Sequence, residues 1–361
     1  MALVLPGRLA AREDLTALEG YHSPQVHVDV RLNTNESPFP PPVQWQELLA
    51  DEVGSIDFHR YPDRGAIALR QDIAELHRVG ADQVFVANGS NEVLQTVLLT
   101  FSGTRRRVLT FEPTYAMHGH IARVVGAMVV EERRRSLGGL AADEVVAAIA
   151  SHRPALTFLC SPNNPTGVLE TRDVIERALI AVAELPGLLV VDEAYGQFAP
   201  WSAQDLFSEE VPLIITRTFS KTWSMAAARL GYCIAPSWVV TELDKVVLPY
   251  HLDSVKQAAG RLALRFEPQM RARVKELVLE RERLVRALTV FDVELWPSSS
   301  NFVLFRPRSA DAHVVWRGLV DRSVLIRNCA TWPGLDGCLR VTVGTPDEDD
   351  RFLAALAEAM A

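Results

Sequence analysis

The chain has 361 residues, 48% of them hydrophobic and 23% charged, with a formal net charge of -8 at pH 7. That length and balance predict two domains with a substantial core and exclude a disordered chain. The acidic balance argues against broad binding to nucleic acid or an anionic membrane and leaves a small molecule as the expected partner, held in a small cationic pocket.

The first segment, MALVLPGRLAARED, meets charge too early for a signal peptide, and the most apolar later run, ALIAVAELPGLLVV, is broken by Glu184 and Pro186. A cytoplasmic protein without a membrane span is expected. Four scattered cysteines, Cys160, Cys233, Cys329 and Cys338, lack metal-type spacing and suit a reducing compartment.

Residues 1–30 precede the first sheet and are expected to form an arm packing with the C-terminal part. From about residue 83 to 235, apolar runs alternate with helical-period segments, the pattern of βαβ units around a largely parallel sheet. The predicted strands are QVFVA, RRVLTF, AMVVEE, ALTFLC, LLVVDE, LIITRTF and LGYCIA. Five of them run into polar loops: NGSNE, EPTY, SPNNPTG, DEAYGQF and SKTW. Ligands of open α/β sheets bind beyond the carboxyl ends of the strands, so these loops should meet at one crevice. After Pro249, a charged helical stretch from about Ser254 to Ala287 leads into a smaller αβ region. Its strands are predicted near VELW, NFVLF, VLIR and LRVTV, with a closing helix from Glu348. The expected division is therefore an arm over 1–30, a large domain over 31–250 and a small C-terminal α+β domain over 251–361.

Lysine is scarce, occurring only at Lys221, Lys245, Lys256 and Lys275, whereas arginine serves wherever else a cation is wanted. At 221 the chain thus chooses an amine that can lose its proton and attack a carbonyl. Neither GxxxxGK[ST] nor GxGxxG is present, which removes two common nucleotide readings. An aldehyde cofactor with a phosphate handle, pyridoxal 5'-phosphate, needs a lysine, a carboxylate for its ring nitrogen, partners for its ring oxygen and a phosphate cup. Asp192 can supply the carboxylate, or it can cap a helix or make a structural ion pair. Tyr195 and Asn164 can meet the ring oxygen, though a tyrosine also fills cores and NNPTG is a good turn sequence. Gly89, Ser90 and Asn91 stand where strand meets helix and offer backbone amides to a phosphate, or simply cap the helix. Thr218, Ser220 and Arg229 flank Lys221 with two hydroxyls and a guanidinium suited to the same group. Tyr115 can lie against a ring or in the core.

These candidates fall on one sheet edge, and together with RLNTNESPFPPP, HRYPDR, LPYHLDSV, SNFVLF and LRVTVGT the chain resembles the fold-type-I pyridoxal-phosphate aminotransferases along nearly its whole length. LNTNESPFPPP, HRYPDR and LPYHL resemble most closely the histidinol-phosphate branch of its actinobacterial kind. The resemblance implies a large domain with a mostly parallel seven-stranded sheet sandwiched by helices and a smaller C-terminal domain. It implies Lys221 as the lysine that bonds the cofactor, Asp192 at the ring nitrogen, Asn164 and Tyr195 at the ring oxygen and Tyr115 against the ring. The phosphate would be held by Gly89, Ser90, Asn91, Thr218, Ser220 and Arg229, with Tyr61 entering from the second subunit of a homodimer. Tyr21, Asn35, Tyr250, Arg327 and Arg340 would face the substrate. The implied reaction exchanges an amino group between histidinol phosphate and 2-oxoglutarate, giving imidazole-acetol phosphate and glutamate in histidine biosynthesis.

The chain departs from this pattern locally. TWSMAAARLGY places Trp223 and Met225 where relatives carry a small, glycine-containing segment, and Ser37 replaces the asparagine of NENP. His118 and His120 form an HxH pair for which the sequence offers no acidic or cysteine partner, so a metal site is not expected. RRR at 105–107 and ERRR at 132–135 read as solvated strand edges. Rival readings are an aromatic-amino-acid aminotransferase, a lyase or decarboxylase of a phosphorylated amino acid using the same cofactor, and a cofactor-binding regulator without turnover.

Overall fold

The computed structural model describes residues 9–16, 18, 20 and 26–361. A short strand β1 (Val30–Leu32) and helices α1 (Val43–Gly54) and α2 (Ile67–His77) lead into the alternation. It runs β2 (Val84–Ala87), α3 (Ser90–Phe101), β3 (Arg107–Glu112), α4 (Met117–Val124), β4 (Met128–Arg133) and α5 (Ala142–His152). It continues through β5 (Leu156–Cys160), α6 (Arg172–Ala183), β6 (Leu188–Asp192), β7 (Leu213–Thr218), β8 (Gly231–Ile234) and α7 (Ser237–Val246). All seven expected strands form one sheet, in the order β2-β8-β7-β6-β5-β3-β4.

Only β8 runs against its neighbours in this sheet. The carboxyl ends of β2, β3, β5, β6 and β7 therefore share one edge, as the sequence predicts. Every residue of β5, β6 and β7 is buried, as continuous apolar runs must be when helices cover both faces. One face packs on α3 and α7 through residues such as Val93, Val97 and Leu243, and the other on α5 and α6 through Val145, Ile149 and Ile175.

The single helical stretch expected from Ser254 to Ala287 is two helices, α8 (Ser254–Leu264) and α9 (Glu267–Leu288). Pro268 lies in the first turn of α9, where its missing N–H has no partner to lose; within one continuous helix it would break a bond and clash with the preceding turn. α8 packs against α1 and α2, on the large-sheet side of the division expected at 251. The chain closes with β9 (Val293–Leu295), β10 (Phe302–Pro307), α10 (Ala312–Asp321), β11 (Val324–Asn328), β12 (Leu339–Thr342) and α11 (Pro346–Ala359). Their sheet has the order β1-β11-β12-β10-β9, so the strand before the large sheet completes the small one, pairing parallel with β11.

The arginine run at 132–135 needs correction. Arg105, Arg106 and Arg107 are exposed, but Arg134 is buried. Its guanidinium donates to the Phe111 carbonyl and pairs with buried Glu170, whose other oxygen accepts from the Leu140 N–H. A buried arginine is tolerable because carboxylate and carbonyl together satisfy it. The four cysteines are all free and buried.

Candidate active site

The loops beyond β1, β2, β3, β5, β6 and β7, with side chains from β11 and β12, line a cavity of about 300 Å³. Lys221, just past β7, points into it and donates from Nζ to the Thr34 carbonyl at 3.0 Å. Burial, then the nearby Arg340 and Arg229 guanidinium groups, lower its pKa to about 8, against partial opposition from Glu36. The environment thus makes a substantial neutral fraction of this amine available near physiological pH.

Asp192 ends β6 with a side chain only 2% exposed. Oδ1 accepts from the Ala194 N–H at 3.0 Å, and Oδ2 accepts from His118 Nε2 at 2.9 Å. His118 is itself fully buried, stacked on Phe158 and edge-on to Tyr115. The expectation that His118 lacks an acidic partner is therefore wrong: three residues after Tyr115 it comes round one turn at the start of α4 and meets the carboxylate. Among the described residues there is no cluster of three or more His, Cys, Asp or Glu able to hold a metal. His118 instead orients Asp192.

Near Lys221 the backbone forms a cup. Ser90 and Asn91 open α3 and line the cavity, and the first amides of a helix have no partner within it. Thr218 Oγ1 accepts from the Ser220 N–H at 3.1 Å, and Arg229 donates to Ser220 Oγ at 3.3 Å. Arg229 adopts a left-handed backbone, φ 51°, and its guanidinium lies over Gly89 so closely that a Cβ there would come within 2.9 Å of Nη2. Glycine is thus required at 89 both by φ 85° and by this approach. Trp223 and Met225 turn away from the cup into a core with Phe219 and Tyr232. Ser37 has a role as well, because Ser224 donates to its hydroxyl at 3.0 Å and ties the loop after Lys221 to the loop after β1.

The opposite wall comes from the small sheet. Arg327 and Arg340 lie directly across from each other on β11 and β12, both buried. Like charges so placed repel unless an anion answers them. The partners that Arg340 holds are neutral, Asn164 Oδ1 and the Asn33 carbonyl. Asn35 joins the two bodies: Nδ2 donates to the Tyr195 hydroxyl at 2.9 Å, and Thr342 Oγ1 donates to its Oδ1 at 3.1 Å. Burial pushes the Tyr195 phenol up to about 12, so it stays protonated as a donor.

The family model for class I and II aminotransferases matches residues 28–356. The chain belongs to this aminotransferase family. A histidinol-phosphate aminotransferase of Mycobacterium marinum is 42% identical over 363 residues, covering 98% of this chain and 93% of the relative. One from Frankia casuarinae is 43% identical over 365 residues, covering 98% of this chain and 90% of the relative. A histidinol-phosphate aminotransferase of Sinorhizobium meliloti, solved in complex with pyridoxal-5'-phosphate, shares the fold with a TM-score of 0.87 at 22% identity, covering 99% of each chain.

The aminotransferase's cavity brings together Lys221, Asp192, Tyr195, Ser90, Asn91, Tyr115, Asn164, Thr218, Ser220, Arg229, Asn35, Arg327 and Arg340, with Gly89 beneath Arg229. Tyr61 and Tyr250 lie outside it, stacked on each other with ring centroids 4.4 Å apart. Tyr21 lies outside the described residues. The sequence reading weighed His118 only as a metal ligand and missed its place beside Asp192, and it missed Trp332, which lines the cavity beside Arg327.

Proposed function

We propose that this aminotransferase moves an amino group reversibly from histidinol phosphate to 2-oxoglutarate, giving imidazole-acetol phosphate and glutamate. The observation that carries the reading is one cavity holding a depressed-pKa lysine, a buried carboxylate and two facing arginines. The full-length relatives named above support the substrate.

The residues fit pyridoxal 5'-phosphate, the cofactor of this enzyme. Asp192 is a buried carboxylate aimed at a cavity, and the cup at Ser90, Asn91, Thr218, Ser220 and Arg229 suits a phosphate. When bound, the cofactor supplies an aldehyde that bonds amines and a ring that draws electrons from the neighbouring carbon. Asp192, held by His118, keeps a proton on a ring nitrogen. Tyr195 and Asn164 offer hydrogen bonds to the ring oxygen, and Tyr115 flanks the ring. Lys221 Nζ would take the proton from the amine-bearing carbon and return it to the acceptor carbon. Arg340 and Arg327 grip the anionic ends of the two unlike substrates.

A panel of amine donors with 2-oxoglutarate and product identification tests this reading. Histidinol phosphate is expected to exceed phenylalanine and tyrosine in kcat/KM by about tenfold or more, since only it answers both arginines. Equal use of aromatic amino acids, or release of carbon dioxide from a phosphorylated amino acid, would overturn it.

We also infer a homodimer in which Tyr61 serves the partner's site. Tyr61 is 80% exposed, and the exposed Phe58 and Leu248 lie near it in sequence or beside Tyr250, to which it stacks. Mixing impaired Tyr61→Phe chains with inactive Lys221→Ala chains should restore activity, because one site of each mixed dimer then has both native residues. Verified subunit exchange without recovery would exclude sharing.

A further inference from the structure

We propose that Trp332 is a positioning residue that sets the preference for a phosphorylated substrate, by fixing Arg327 and walling the end of the cavity where the phosphate ester lies. The inference rests on the function proposed above. Trp332 belongs to the 329–338 loop between β11 and β12, the strands that carry Arg327 and Arg340. Its indole lines the cavity, and the Arg327 guanidinium carbon sits 5.1 Å from the ring centroid.

The loop has little freedom. The Trp332 N–H donates to the Cys329 carbonyl at 2.9 Å, the Leu335 N–H to the Trp332 carbonyl at 3.0 Å, and the Cys338 N–H to the Leu335 carbonyl at 2.9 Å. Cys329 and Cys338 close its base through a 3.0 Å backbone bond. Beneath it, Leu304, Cys329, Leu335 and Cys338 form a small apolar cluster on which Trp332 and Trp296 pack. Its tip reaches the large body: a Cβ on Gly334, which has φ 77°, would stand 3.4 Å from Pro113 in the loop that carries Tyr115. A bound anion therefore meets an arginine stacked beside a ring whose loop is held on both bodies.

A cation over an aromatic face engages the π-system and none of its N–H donors, so the contact orients the guanidinium without competing for the phosphate. Removing the ring would loosen the Arg327 guanidinium and admit water to the wall that the indole covers. The loss should fall on the substrate that depends on Arg327, and less on glutamate.

The test uses holoenzyme of the parent chain, Trp332→Leu, Trp332→Phe and Arg327→Gln. Inhibition of the glutamate half-reaction by inorganic phosphate, whose cofactor-phosphate cup is already filled, reports the anion grip at Arg327 independently of the amine used. Trp332→Leu is expected to weaken that inhibition by about tenfold, with Trp332→Phe recovering most of it. On the Arg327→Gln background, Trp332→Leu should add little, because the residue it positions is gone. With histidinol phosphate and unphosphorylated histidinol as donors, the ratio of their kcat/KM values should narrow by a similar factor in Trp332→Leu, chiefly through KM. Equal losses for histidinol phosphate, histidinol and glutamate, with phosphate inhibition unchanged, would overturn the positioning role. Failure of the parent enzyme to use histidinol phosphate would instead overturn the proposed function, while phosphate inhibition would still decide the role of Trp332.

Discussion

Lys221→Ala is expected to lower turnover by roughly 10⁴-fold or more, because one change removes both the nitrogen that bonds the cofactor and the base that moves the proton. Lys221→Arg should be equally inactive despite keeping the charge, since a guanidinium stays protonated. The cup at Ser90, Asn91, Thr218, Ser220 and Arg229 does not depend on the lysine, so the alanine variant should still bind the cofactor, more weakly, without the parent's visible absorbance. The pH dependence follows from the lysine's environment. Its pKa is lowered from 10.5 to about 8, so the reactive neutral form is already half-populated at about pH 8. Capture of added pyridoxal 5'-phosphate by the apoenzyme should therefore accelerate roughly tenfold per pH unit below about 8 and level off above it. Stopped-flow absorbance would measure this. A profile still rising through pH 10 would mean that burial does not depress this amine, and full turnover by Lys221→Ala would remove it from the chemistry.

The large sheet was legible because its strands are covered on both faces: LLVVD and LIITRT must be continuous apolar runs, and such runs stand out beside amphipathic helices. The crevice followed from topology alone, since parallel strands put their following loops on one edge. What stayed hidden depended on side chains meeting across distance in sequence. His118 and Asp192 are 74 positions apart, and no spacing rule links a histidine in α4 to a carboxylate ending β6. Arg134 looked like one more cation at an edge because Glu170, which holds it, lies 36 positions on, beyond α5 and β5. The break between the two helices in the stretch from 254 to 287 was signalled by Pro268, which sits in the first turn of the second and which the sequence reading did not use. Trp223 and Met225, which looked like a departure in the cofactor loop, are accommodated by facing the core rather than the cup.

Arg340→Lys is expected to weaken both half-reactions by about 2 to 4 kcal/mol in transition-state terms. The guanidinium of Arg340 reaches Asn164 Oδ1 with one nitrogen and the Asn33 carbonyl with another, so its plane is fixed by neutral groups and its charge is left for a ligand. A lysine ammonium is a point donor on a flexible stem and cannot hold that plane while gripping an anion through two parallel bonds. Because Asn164 also belongs to the proposed ring-oxygen partners, the substitution should loosen the cofactor side of the cavity together with the substrate side. Arg327→Gln should behave differently. Facing Arg340 across the strand pair, Arg327 adds a second positive charge, and a second charge matters most to a phosphate dianion and less to a single carboxylate. Single-turnover rates with histidinol phosphate and with glutamate separate the two roles: Arg340→Lys should depress both, and Arg327→Gln the phosphorylated amine more. Unchanged rates in Arg340→Lys would exclude that arginine from substrate binding, and equal losses in Arg327→Gln would reduce its role to placing Arg340.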